Sequence, residues 1–332
     1  MKPIVKLARG IIGLLPVAMP AMAPGFSAQG IAAAEDHQNN HSIRKPTSPA
    51  DLEFWLKNMV VFHRFTPDEV QRATGLSVPE IQNTIRQLGL NGQTPPPRLA
   101  GEPLRVLPYP GGRHPRIGFR DGAIAPQRET KVSIFTPWDE SSYVVADIPE
   151  AIFSNLGLTY LAHTHVPTLW TEQNLQLPTQ EWERRPDGSL RSERNLPNGI
   201  TFNAEVMPEA HAVRMRLWLR NGTSKPLTEL RVQNCVMLAG TRGFSVQSND
   251  GKVFQPPYAA AKSAEADRWI ITGWVPNQRC WGNAPCPCLH SDPQFPNCQP
   301  GETVQLQGWL SFYEGKDLAG ELKRIDALGW TK

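Results

Sequence analysis

Val213-Arg-Met-Arg-Leu-Trp-Leu-Arg220, the turn Asn221-Gly-Thr-Ser-Lys-Pro226 and a second run through Leu230, Val232, Cys235 and Met237 decide the fold. Val213, Met215, Leu217 and Leu219 alternate with Arg214, Arg216, Trp218 and Arg220. That period of two places every apolar residue on one face of a strand. A polar turn between two such runs predicts a β-hairpin. An apolar sheet face has to be covered, and a second sheet is the simplest cover, so the pattern predicts a sandwich.

Working outward, residues 303–313 alternate Val304, Leu306, Gly308 and Leu310 against Gln305, Gln307, Trp309 and Ser311. Residues 269–275 read as another strand, as do the stretches around Val132 and Ile134, 143–148, 156–165 and 199–206. Only residues 318–327 look helical in this half. The expected fold is mainly β, an antiparallel β-sandwich over residues 116–327 preceded by a small helical N-terminal unit.

Residues 1–34 join Lys2, Lys6 and Arg9 to an apolar run and end on small residues. This is the layout of a secretory signal peptide, with cleavage expected near Ala34 or Ala28, and it predicts an exported (periplasmic or extracellular) protein. Neither this stretch nor any other is long and apolar enough to predict a transmembrane segment. Residues 35–47 are polar and aperiodic, as in a flexible tether.

Residues 48–90 differ. Leu52, Trp55, Leu56, Met59 and Val60 recur at helical spacing, and Thr66 with Glu69 and Ser77 with Glu80 form two capping boxes. Three short helices are expected, with Gly75 turning the chain between the last two. Residues 66–90 resemble the helix-turn-helix of DNA-binding domains, with Gln82, Asn83 and Arg86 on the second helix. Lys57, Arg72 and Arg86 are nearly matched by Asp68, Glu69 and Glu80, so no basic face forms and a helical cap is preferred to nucleic-acid binding. A net charge of +3 over 332 residues likewise points to no nucleic acid as partner. Residues 91–115, rich in proline and glycine, are expected to be a linker. No sequence feature fixes an oligomeric state.

The run from Val213 to Leu227 and the Pro300-Gly301-Glu302-Thr303 turn resemble the strand and turn phrases of galactose-mutarotase-like sandwiches, over roughly residues 115–315. The resemblance implies a carbohydrate-active β-sandwich. His114-Pro115 resembles that family's His-Pro phrase, but Arg116-Ile117 follows in place of aromatics. The family's catalytic histidine and carboxylate therefore have no matched counterpart here.

Two constellations carry chemistry. In His163-Thr164-His165 two imidazoles at i and i+2 share a strand face, and His290 with Asp292 repeats the spacing. His163, His165, His290 and Asp292 together would suit a divalent transition metal such as zinc, manganese or iron, with a position left for water. Without an ion, His163, His165 and Asp292 are the candidate acid/base residues, with Asp147 and Glu150 near enough in sequence to orient the histidines.

Four of the five cysteines, Cys280, Cys286, Cys288 and Cys298, fall in residues 274–302, a proline-rich stretch read as a loop. Their types admit a zinc site, but export favours disulfides, Cys280 with Cys286 or Cys288 and the remaining one with Cys298. Each closed loop would contribute about 2–4 kcal/mol. Cys235, inside a strand pattern, is the expected free thiol.

Trp138, Trp170, Trp182, Trp274 and Trp281 sit at strand ends or in loops, where exposed indoles could stack on sugar rings, and Trp170, Trp274 and Trp281 are the candidate ligand-binding residues. The sequence thus leads to a carbohydrate-binding or carbohydrate-processing protein. The alternatives are a non-catalytic structural or interaction module and a metal-dependent hydrolase or oxidase.

Overall fold

The computed structural model describes residues 43–116, 129–162 and 166–332. The expected signal segment at 1–34 and the histidines His163 and His165 lie outside the described residues.

The chain begins with helix α1 (Pro49–Leu56), a π-helical turn (Lys57–Phe62), α2 (Pro67–Thr74) and α3 (Val78–Gln87). Both capping boxes form: Thr66 and Ser77 each accept from a backbone N–H, while Glu69 and Glu80 reach back to the cap. Gly75 ends α2 at φ 72°, a left-handed position where a side chain would be strained. These helices enclose a small core of their own around Leu56, Met59, Val70 and Ile81.

Among the described residues fifteen strands follow: β1 (Val106–Pro108), β2 (Lys131–Phe135), β3 (Tyr143–Ser154), β4 (Gly157–Leu161), β5 (Glu183–Arg184), β6 (Leu190–Asn195), β7 (Thr201–Pro208) and β8 (Ala212–Arg220). After them come β9 (Val232–Met237), β10 (Lys252–Gln255), β11 (Tyr258–Lys262), β12 (Arg268–Val275), β13 (Asn277–Trp281), β14 (Cys288–Pro293) and β15 (Thr303–Glu314), and the chain closes with α4 (Leu318–Ala327). They form a seven-stranded sheet in the order β1-β2-β3-β9-β14-β13, with β4 on β3, and an eight-stranded sheet in the order β10-β11-β12-β15-β8-β7-β6-β5. Every pairing is antiparallel, as expected for a sandwich.

The core lies between the sheets. Val213, Met215, Leu217 and Leu219 of β8 are buried there against Val144, Ala146, Val236 and Leu289 of the facing sheet. Helix α4 covers the back of the eight-stranded sheet, where Leu322, Ile325 and Trp330 pack on Tyr258 and Trp309. The back of the seven-stranded sheet receives the helical unit through His63, whose Nε2 lies 2.7 Å from Ser133 Oγ.

The predicted hairpin is corrected. β8 has β15 on one side and β7 on the other, so β9 cannot pair with it. Instead the chain crosses to the other sheet and becomes a central strand there. Fully buried Asn221 holds the crossing, its Nδ2 donating to the carbonyls of Lys225 and Cys298 at 2.9 Å. Alternation looks the same in a hairpin and in a crossing between sheets; the turn, longer than the two residues of the tightest hairpins, is the only difference in the sequence.

Parts of the expected linker and tether carry contacts. β1 pairs with β2 from within the linker. Arg44, in the tether, is buried over the Trp55 ring and paired with Glu181.

Candidate metal centre

The stretch expected to be a loop is a hairpin. β13 and β14 pair with Cys280 opposite Ser291 and Trp281 opposite His290, and β14 continues onto β9 with Cys288 opposite Met237 and Leu289 opposite Val236. Prolines at 276, 285, 287, 293 and 296 hide two short strands. Parity then sorts the side chains. Leu289 points into the sandwich core, while Cys288, His290 and Asp292 point to the back of the seven-stranded sheet.

Register assembles the site. Lys131 is opposite Asp147, and Asp147 is opposite Cys235. Continuing the β9–β14 register by one residue puts Cys235 opposite His290, which is opposite Trp281. A row of Lys131, Asp147, Cys235, His290 and Trp281 therefore crosses five strands. Lys131 Nζ and Asp147 Oδ2 are 2.9 Å apart with both side chains fully buried, an ion pair that shifts neutralising charge into this face.

Cys235, Cys288 and His290 form the centre. Their ligand atoms all lie within 4.8 Å of one another, and all three residues are buried. His290 Nε2 is 3.3 Å from Cys288 Sγ. Its other nitrogen, Nδ1, faces Glu150 Oε2 at 3.8 Å and Asp292 Oδ1 at 3.9 Å. Carboxylates on the Nδ1 side favour a proton there, so Nε2, beside the sulfurs, is the nitrogen that would meet an ion. The indole of Trp281 stacks on the imidazole with centroids 3.9 Å apart and fixes the ring plane.

Glu150 reaches the site because β3 bulges between Asp147 and Ala151. The bulge aims its carboxylate outward, where it accepts from Gln233 Nε2 at 2.7 Å and pairs with Arg116. Asp292 is tied down by Trp281 Nε1 at 2.7 Å, Arg279 Nε at 2.8 Å and the Asn234 backbone N–H at 3.2 Å. It orients the indole that stacks on His290 and has little capacity left for an ion.

The electrostatics follow from these contacts. The Cys235 S–H bonded to the Cys288 sulfur, with His290 beside it, holds Cys288 down to about 4 against the cost of burial. Burial pushes Cys235 well above the usual thiol range. Burial alone would lower His290, but the Cys288 sulfur at Nε2 outweighs it and the imidazole titrates above its ordinary value. Asp292 is raised by burial, partly offset by His290, Trp281 and Arg279.

Several expected site residues are placed differently. Of the metal set His163, His165, His290 and Asp292, the two described members come together, but His290 joins two cysteines while Asp292 serves as its support. No disulfide is present among the described residues, and Cys280, Cys286, Cys288 and Cys298 are all free thiols. Cys280, opposite Ser291, is three positions along the hairpin from Cys288, about 10 Å by strand rise and beyond disulfide reach. Cys298 bridges to Leu227 at the crossing. The indole rim is corrected too: Trp170, Trp182 and Trp274 are core residues, and Trp170 Nε1 donates to the Thr159 carbonyl at 2.8 Å. Trp281 is half-buried with its face on His290.

The role of Cys235 was missed because its partners come from strands far away in sequence. The alternating Cys286-x-Cys288-x-His290 was the available signal, since such spacing shares one strand face.

No protein-family model and no curated protein matches the chain. Among solved structures it is similar to a polysaccharide lyase at 10% identity and TM-score 0.32, over 66% of this chain and 34% of that one. It is also similar to a kojibiose phosphorylase candidate from the human microbiome at 5% identity and TM-score 0.29, over 43% and 20%. A Synechocystis protein is similar at 10% identity and TM-score 0.33, over 58% and 91%. The chain thus spans about a third and a fifth of the first two proteins. Both of those are carbohydrate-active by name, but likeness at this level assigns neither a site residue nor a galactose-mutarotase relationship.

Proposed function

We propose that this chain is a β-sandwich metalloprotein that holds one thiophilic divalent ion, with zinc the best fit, at Cys235, Cys288 and His290. The observation that carries the reading is the convergence of two thiols and an imidazole within 4.8 Å on adjacent strands, with carboxylates behind the imidazole. Two sulfurs and one nitrogen are a zinc ligand set, and imidazole backed by carboxylate is the usual support. Two thiolates balance a dication, so the buried site gains no net charge from the trio. Cys235, whose thiol burial keeps protonated, ionises when the cation binds.

The chain's residues divide the work. Cys235 and Cys288 supply charge, His290 supplies Nε2, Glu150 and Asp292 face its Nδ1 side, and Trp281 stacks on it. This set shares His290 with the expected one, whose His163 and His165 lie outside the described residues. A carbohydrate ligand loses two of its three named stacking platforms, because Trp170 and Trp274 are buried in the core.

The test is titration of the metal-stripped chain with Co2+. A saturable one-to-one spectrum with thiolate-to-cobalt charge transfer and tetrahedral d–d bands is expected, and C288S and H290A each abolish it. Absence of any saturable spectrum in the wild type overturns the reading. A second reading rests on Cys288 being held down to about 4: a thiolate and imidazolium acting as a nucleophilic pair. Burial of Cys288 opposes it. Rapid alkylation of Cys288 at pH 6 in a chain that binds no metal would favour it.

A further inference from the structure

Of the three thiols the trio leaves out, Cys286 is the one in the same buried cluster as Cys235 and Cys288. It is buried and packs in one apolar cluster with Cys235, Cys288, Met237, Tyr143 and Val145. It lies in the turn two residues before Cys288 and clusters on the same sheet face as Cys235 and Cys288. The turn that carries it is held from both sides. Asn249 Nδ2 donates to the Gly282 carbonyl at 3.0 Å, Gln247 Nε2 to Pro285 at 2.8 Å and the Leu238 N–H to Pro287 at 2.9 Å. Cys286 is thereby presented on a fixed turn beside the centre. Its sulfur stands outside the set of atoms within 4.8 Å, so to share an ion with them it would have to move closer.

Charge points the same way. The half-buried Lys252 ammonium feels Cys288, Cys235 and Cys286, and Arg116 feels Cys235. A dication with three thiolates and a neutral imidazole carries one negative charge, which the nearby Lys252 ammonium offsets; Arg116 is already paired with Glu150. Burial of all four residues leaves little room for a water ligand, which is the condition of a closed site.

We propose that Cys286 is the fourth ligand and completes a closed Cys3His zinc centre, an inference that rests on reading Cys235, Cys288 and His290 as ligands. Such a centre fastens the β13–β14 hairpin to β9. It has no open coordination position and does not activate water, which separates it from the hydrolase expectation.

Zinc-edge X-ray absorption on the zinc-loaded full chain tests this without depending on any variant. Three sulfurs and one nitrogen are expected in the wild type. In C286S, one sulfur should give way to oxygen or nitrogen, with zinc held about tenfold more weakly or worse. A wild-type shell of two sulfurs, unchanged in C286S, overturns the role of Cys286 and leaves the trio standing. No zinc uptake by the wild type removes the trio and Cys286 together.

Discussion

Asp292→Asn is the substitution whose cost can be worked most fully. The carboxylate accepts three hydrogen bonds in a buried position: Oδ2 takes Trp281 Nε1 and Arg279 Nε, and Oδ1 takes the Asn234 N–H. An amide of the same shape keeps one oxygen. If that oxygen stays on Asn234, an NH2 group confronts two donors. Each bond to a charged acceptor contributes about 1.5 kcal/mol or more, and the Arg279 share is halved because its side chain is 56% exposed. The expected loss is about 2–3 kcal/mol. With a urea slope near 3 kcal/mol per molar, the midpoint falls by about 0.7–1 M. Equilibrium urea unfolding with chelator present measures this free of ion binding, and Trp281 fluorescence should shift as the indole leaves His290. A midpoint within about 0.2 M of wild type would refute the account of Asp292 as the support of the site.

Other expectations are briefer. His63 is buried between Asn58 and Ser133, and burial with the nearby Arg113 charge lowers it to about 3, while the Asn58 carbonyl pulls the other way and Tyr109 and Tyr143 border it as neutral rings. The unfolded chain takes up this proton first, so stability is full above about pH 6.5 and falls as pH drops toward 3, by about 1.4 kcal/mol per unit; H63Q should flatten that slope in pH-dependent unfolding. Gly308→Ala would set a Cβ 2.5 Å from Trp274 Cε2 in the core, and a thermal scan should show a loss of about 1–3 kcal/mol. Ser77→Ala removes a capping bond at α3 and should cost about 1 kcal/mol in the same assay, with no effect on metal content.

The sequence made the elements legible and the partnerships much less so. Alternation placed β8, β12 and β15, and capping boxes placed α2 and α3, because those signals are local. The destination of β9 was not local: the same alternating run pairs with β8 or crosses away from it depending on whether both edges of β8 are already filled. For the centre, His290 and Asp292 were visible as a spaced pair, but Cys235 joins them only through a register built from β3, β9 and β14. The tryptophans misled for a related reason. Trp170 and Trp274 lie at element boundaries in sequence, yet the sandwich closes over them and indoles fill its ends.

The central claim is that Cys235, Cys288 and His290 share one ion. A crystal of the zinc-loaded chain, with anomalous data collected on either side of the zinc edge, tests it most directly. The account predicts one strong peak per chain between Sγ of Cys235, Sγ of Cys288 and Nε2 of His290. No peak at that place, or zinc held only elsewhere on the chain, would contradict it.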